Sequence, residues 1–365
     1  MIIEKIKIYK YSIPMHPFTI STGTMDYAQN ILIKIYTNST IFGIGECSAF
    51  PMIVGETQNT CFEIAKDFAA LWKGKDALNI EERLNELHLF IAGNSTIKSA
   101  FDMALYDIAS QNANKPLYEF LGGTKKEMLT DITVGIGSPE TMVTQANAFV
   151  ENGATILKIK LGKDVLTDVQ RIKTIRETVE NKIKIRIDAN QGWTYENAKE
   201  ALTQLGKYNI EFCEQPMRTY NDEYLPELMK VSPIKIMADE SVYNHHDALR
   251  LIKNNACDYI NIKFAKSGGI NEALKIIAVA KQHNIPCMMG GMLESRVALT
   301  AFAHFAAANP QIIFYDMDTC MLGHKVDPVI GGVTYNGYNV QLPSGIGMGA
   351  DAKEEFLEGC VQITV

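Results

Sequence analysis

Apolar and charged residues alternate along MIIEKIKIYKYSIP. This two-residue period predicts a half-buried strand over 2–12, without the continuous apolar core of a signal peptide. Similar runs predict strands over 30–37 and 40–46. A helical period follows near 57–73, 79–91 and 97–120. The last of these opens on a Ser/Thr cap and is expected to stop at Gly122-Gly123. Strands followed by helices predict an α+β unit of their own.

Beyond residue 130 the pattern becomes a regular alternation. Strand candidates are 131–137, 156–161, 184–190, 210–216, 234–240, 259–264, 286–292 and 312–318. Amphipathic stretches separate them, such as SPETMVTQANAFVENG with Ser138 as cap and Pro139 at the first helical position. Eight βα-length units are the pattern of an α/β, TIM-type barrel. After Asp318 the chain is rich in Gly and Pro and loses the helical period. The expected fold is therefore a (β/α)7β barrel whose tail returns to the N-terminal unit. This gives a capping domain over 1–127, completed by 325–365, and a barrel over 128–324. Glycines 345, 347 and 349 read as turn residues, because no strand–Gly-rich loop–helix context surrounds them.

Composition narrows the function. The chain has 365 residues, 47% hydrophobic and 21% charged, with a net charge of −7. That excludes a mainly disordered chain and argues against nucleic-acid or anionic-membrane partners. Its seven cysteines, at 47, 61, 213, 257, 287, 320 and 360, form no C-x-x-C. They fit a reducing cytoplasm better than a disulfide framework or a thiolate zinc site.

In such a barrel, chemistry sits at the C-terminal ends of the strands. Asp188, Glu214 and Asp239 fall one repeat apart on strands three, four and five. Three carboxylates at one level repel one another unless a hard cation is present, and an oxygen-only ligand set favours Mg²⁺. Lys158 and Lys160 on strand two share its inward face, and Lys263 stands on strand six, across the ring. Beside a metal and each other, Lys160 and Lys263 are expected to have pKa values that fall toward the range of a general base. Lys266, three residues further on, is expected in the loop. A metal-bound substrate carboxylate acidifies the adjacent carbon, and a base on each face then inverts that centre by 1,1-proton transfer. Asp316 and Asp318 end strand eight, remote from the metal, where two acids would hold a cation.

Together these residues resemble the enolase superfamily, in its muconate-lactonizing subgroup, across essentially the whole chain. The resemblance implies Asp188, Glu214 and Asp239 as ligands of one Mg²⁺ and Lys160 and Lys263 as the acid/base pair. Lys158 would offset the substrate carboxylate. Strand seven, CMMGGM, lacks the His of the mandelate-racemase branch. The Asp-x-Asp at 316–318 is similar to that of dipeptide epimerases, where it holds the α-ammonium. The implied partner is a small-molecule dipeptide, and a homo-oligomer is compatible with this reading. o-Succinylbenzoate synthases, cycloisomerases and N-acylamino acid racemases share the metal and lysine pattern, but their substrates lack an ammonium.

The resemblance also implies substrate contacts at Thr24, Thr133, Gly291 and Met292. Thr24 is expected near the tip of a mobile cap loop within 16–29, joined by an apolar loop at 49–56. No Lys or Arg occurs from Tyr11 to Ile33. An L-Ala-D/L-Glu epimerase needs a cation there, so Ala-Xaa dipeptides with an uncharged Xaa are expected. Arg296 is the counter-case, and Glu294 in MLES has no role assigned from sequence.

Overall fold

The opening alternation runs further than its prolines suggest. In the computed structural model, which describes residues 1–365, β1 (Ile3–Ile20) pairs antiparallel with β2 (Gly23–Thr37), and β2 with β3 (Phe42–Ser48). The segment 16–29 is therefore a paired hairpin rather than the expected loop. A register shift between Pro14 and Phe18 absorbs the prolines, and the tip falls at Ser21-Thr22. The apolar stretch at 49–56 contains one helical turn, Pro51–Val54. The cap helices span Gln58–Trp72, Ile80–Phe90 and Ser95–Asn112. The third stops ten residues before the expected double glycine. Asn114 turns left-handed at φ +53° and Pro116 then opens a separate turn, Leu117–Phe120.

All eight barrel strands form, in sheet order one to eight, at Ile132–Val134, Ile156–Lys160, Lys184–Asp188, Ile210–Glu214, Ile236–Ala238, Tyr259–Ile262, Cys287–Gly290 and Ile312–Asp316. Strands one and eight meet where the Asp131 amide donates to Tyr315 O (3.2 Å) and the Thr133 amide to Asp318 Oδ2 (2.7 Å). Ser138 caps Pro139–Glu151 by accepting from the Thr141 amide. A single turn, Thr319–Leu322, stands where an eighth helix would be. The tail returns as Gln362–Thr364, which pairs antiparallel with β1. Gly347 lies at φ +71°, and a Cβ there would meet Asp107 Oδ1 at 2.6 Å, so the turn requires glycine. No helix is long and apolar enough to cross a membrane.

The barrel has one apolar core that packs its strands against its helices and a small separate one of Phe212, Met237, Met288 and Phe314, and the cap has its own around Phe68, Trp72 and Phe101. Buried carboxylates tie the two together. Glu46 of β3 accepts from Ser295 N (2.9 Å), Ser295 Oγ (2.7 Å) and Ala298 N (3.0 Å), at the start of barrel helix Arg296–Ala308. Asp102 accepts from Ile270 N (2.6 Å) and Asn271 N (3.1 Å) in the same way. The hairpin tip rests on the barrel mouth: the Ile136 amide donates to Thr19 O (2.9 Å), and Ser21 Oγ to Asn190 O (2.9 Å).

Candidate active site

Strand register decides which side chains share a level. Lys158 is opposite Arg186, Lys160 opposite Asp188, and Asp188 opposite Glu214. The Lys158 ammonium lies 2.6 Å from Glu214 Oε2, 2.8 Å from Asp316 Oδ2 and 3.3 Å from Asp188 Oδ2. Lys160 Nζ is 2.6 Å from Asp188 Oδ2, and Lys263 Nζ is 2.9 Å from Asp239 Oδ2 and 4.0 Å from Glu214 Oε1. All of these side chains are buried. The ammonium groups of Lys158 and Lys263 stand between the carboxylates as their counter-charges.

The acids are held at their outer edges. Asn190 donates to Asp188 from its amide and side chain (2.8 and 3.2 Å), and Asn261 Nδ2 to Glu214 Oε1 (2.8 Å). Gln215 Oε1 accepts from the Asp239 amide (2.9 Å), which fixes that strand end. Lys266 departs from expectation. It sits in a helical turn, Phe264–Ser267, with its ammonium fully buried behind Asp239 Oδ1 at 2.6 Å. It also donates to Val242 O and Asn261 O, so its ammonium is fixed against Asp239.

Charge balance sets the protonation. Burial pulls Lys263 down, but Asp239 and Glu214 outweigh it and hold the ammonium above its ordinary value. The fall expected from sequence needs a cation to relieve those carboxylates of the lysine. Burial and the neighbouring Asp188 push Glu214 up to about 7. Glu214 Oε2 and both Asp239 carboxylate oxygens are buried without a directed hydrogen bond, despite the nearby ammonium groups. Oxygen donors of this kind, with no His or Cys among them, fit Mg²⁺.

Across the mouth, Asp316 and Asp318 border a chamber of about 40 Å³. Thr133, Lys160, Gly291 and Met292 line it too, and the cap contributes Met15 and Phe18. Thr24 is not part of this lining. Its hydroxyl is 2.8 Å from that of Thr19, and it lies on a groove of about 320 Å³ with Met25, Phe50 and Met52. Glu294 folds back to accept from the Met292 amide (2.6 Å) and thereby shapes the turn carrying Gly291 and Met292. Burial pushes its carboxyl up to about 8.

Arg296 opens its helix, and its guanidinium is spent on the tail. It binds Asp327 Oδ2 (2.6 Å), Gly331 O (2.6 Å), Val333 O (2.9 Å) and Val329 O (3.2 Å). Arg296→Ala should therefore destabilise the fold by about 1–3 kcal/mol and leave the ratio of kcat/KM between acidic and uncharged dipeptides unchanged. Paired thermal melts and dipeptide assays check both halves.

Sequence reasoning passed over Asp131 and Arg186. Arg186 Nη1 donates to Asp131 Oδ2 (2.8 Å) and its Nε to Glu211 Oε2 (2.7 Å), with the guanidinium between the rings of Phe212 and Phe314. The signal was available: Arg186 shares the inward face of RID with Asp188, and a buried guanidinium requires a partner acid.

Known proteins share this arrangement of domains. Residues 3–122 match the mandelate racemase / muconate lactonizing enzyme N-terminal domain, and residues 141–356 the enolase C-terminal domain-like family. The chain belongs to the enolase superfamily. One relative within it is the D-Ala-D/L-Ala epimerase of Cytophaga hutchinsonii, 42% identical with both chains fully covered. Another is the L-Ala-D/L-Glu epimerase of Clostridium acetobutylicum, 37% identical over 96% of this chain and 99% of its own. The crystal structure of the Cytophaga hutchinsonii dipeptide epimerase, complexed with Mg and the dipeptide D-Ala-L-Val, superimposes with a TM-score of 0.99 at 43% identity, again with full coverage of both chains.

Proposed function

We propose that this enolase-superfamily member is a magnesium-dependent dipeptide epimerase. It inverts the α-carbon of the C-terminal residue by two-lysine 1,1-proton transfer. The observation that carries this reading is the pairing of two opposed buried ammonium groups, Lys160 and Lys263, with a carboxylate set fit for Mg²⁺ and a separate acidic end at Asp316 and Asp318. Relatives acting on dipeptides, one of them crystallised with Mg, support it.

Asp188, Glu214 and Asp239 would hold the metal, which supplies the positive charge that stabilises an enediolate. Lys160 removes or returns the α-proton on one face and Lys263 does so on the other. Lys158 offsets the carboxylate charge between them. Asp316 and Asp318 receive the α-ammonium, and the small chamber beside them suits a first residue such as Ala. The hairpin over the mouth carries no cation, and Arg296 is committed to the tail. Both features support an uncharged second residue. Seven unpaired thiols support a reducing, cytoplasmic setting. The pairing of 362–364 with β1 supports reading 325–365 as part of the cap of 1–127, with 128–324 as the barrel.

The test is incubation of the Mg²⁺-loaded protein with a dipeptide library in D₂O. Deuterium should enter the C-terminal α-carbon of alanyl dipeptides, with uncharged second residues ahead of Glu; absence of α-deuteration throughout the library sinks the reading. Asp316→Asn separates the ammonium site from the rest. It should lower kcat/KM for dipeptides by roughly 30-fold or more, the equivalent of about 2 kcal/mol at the low end for losing one partner of a buried charge pair, and change activity on N-acylated analogues far less. Equal losses on both substrate types would show that this acid does not read the amine.

A further inference from the structure

Asp131 immediately precedes the first barrel strand and is fully buried. Its Oδ2 is bound by Arg186, and its Oδ1 is buried with no partner. One carboxylate oxygen from each of Asp131, Asp316 and Asp318 lies within 4.8 Å of the other two. The charged and titratable groups around this trio come from strands two, three, four and six and from the tail. Strand two brings Lys158, which is shared with Glu214 and Asp188, and Lys160, which is paired with Asp188. Strand three brings Arg186, which is shared with Glu211 of strand four. Strand six brings Lys263, paired with Asp239, and the tail brings the hydroxyls of Tyr335 and Tyr338. Only Lys158 and Arg186 touch the trio, so three carboxylates share two cations, each already partly engaged elsewhere. In a buried site, acids this close cannot all ionise.

We propose that Asp131 is a positioning residue of the ammonium subsite, sharing one proton with Asp316 and Asp318 that leaves to solvent when a substrate α-ammonium arrives. This rests on the dipeptide-epimerase reading. The exchange balances: one –NH₃⁺ enters, one H⁺ departs, and the charge of the buried subsite is unchanged. A neutral N-acyl group cannot displace the proton, so the trio selects for a free amine. Burial and the adjacent Asp316 raise Asp131 well above the carboxylate range, and burial with Asp316 pushes Asp318 up to about 7. At Asp316 burial is outweighed by the surrounding lysines, which hold it low, so the trio is not fully ionised near neutrality.

Calorimetric titration in buffers of different ionisation enthalpy counts the protons. The Mg²⁺-loaded enzyme is titrated at about pH 6.5 with the alanyl dipeptide deuterated fastest in the library. Free α-amines, with pKa of roughly 7.7–8.0, are then almost fully charged and take up little. The wild type should release between about half a proton and one proton more than Asp131→Asn. The amide still accepts from Arg186, and only two acids then face the two cations. Equal release by the two proteins overturns the proposal. If the variant does not fold, the wild-type KM decides. It should fall as pH rises through about 7, because below that pH the ammonium competes with the bound proton, while kcat follows its own profile. A KM flat across that window overturns the proposal. A dipeptide that is deuterated without proton release removes only the role of Asp131, whereas a library without deuteration removes the epimerase reading itself.

Discussion

Lys160→Ala and Lys263→Ala should each lower epimerisation by roughly 10²–10⁴-fold, the span assigned to a positioned general acid or base. Both variants should fold. Lys263→Ala leaves Asp239 with Lys266 at 2.6 Å, and Lys160→Ala leaves Asp188 with Lys158 at 3.3 Å, so neither buried acid is abandoned. The informative readout is the split between exchange and inversion. With one lysine gone, the survivor can still remove and return the proton on its own face. Each variant should therefore wash deuterium into one stereoisomer while inverting neither. Near-normal turnover in both variants would eliminate the two-base mechanism. Loss of exchange from both stereoisomers in a single variant would point to one base serving both faces.

Removal of the metal should abolish turnover, and Glu214→Gln should reproduce that loss in the presence of Mg²⁺. Substitutions of groups that merely support metal ligands already cost about 10–100-fold, so replacing a ligand should cost at least the upper figure. Folding should survive. Gln keeps the shape of Glu214, and Asn261 can still donate to the amide oxygen. Thermal melts give a readout independent of activity. Mg²⁺ should raise the wild-type melting temperature in proportion to how strongly it binds the folded state and leave that of Glu214→Gln unmoved. Full activity after exhaustive chelation, or the same metal-induced shift in the variant, would displace the proposed ligand set.

Much of this site was legible because it is periodic. A carboxylate at 188, 214 and 239 recurs with the barrel unit, and a two-residue strand period orients Lys158 and Lys160 without reference to anything distant. What was not legible depends on tertiary partners. The segment 16–29, with Pro17 and Gly23, read as a loop, yet the hairpin continues through it because the barrel mouth supplies hydrogen bonds at Thr19 and Ser21. Lys266 read as a loop residue because nothing local reveals that Asp239, Val242 and Asn261 converge on its ammonium. The helix expected to reach Gly122 was misjudged on local grounds that were present, since Lys115-Pro116 breaks it. Asp131 lay inside a predicted strand and was overlooked because its significance is set by Arg186, Asp316 and Asp318, none of them near it in sequence.

The returning tail bears on how the chain is made. Residues 362–364 pair with residues 7–9, so the two ends of the sequence form adjacent strands. During synthesis β1 carries an open edge until residues 362–364 have left the ribosome, whereas the βα units of the barrel, local in sequence, can form earlier. Closing so long a loop is slow relative to those local steps. The cap sheet is thus completed only after all eight barrel strands are available, and until then its open edge is exposed to edge-to-edge association.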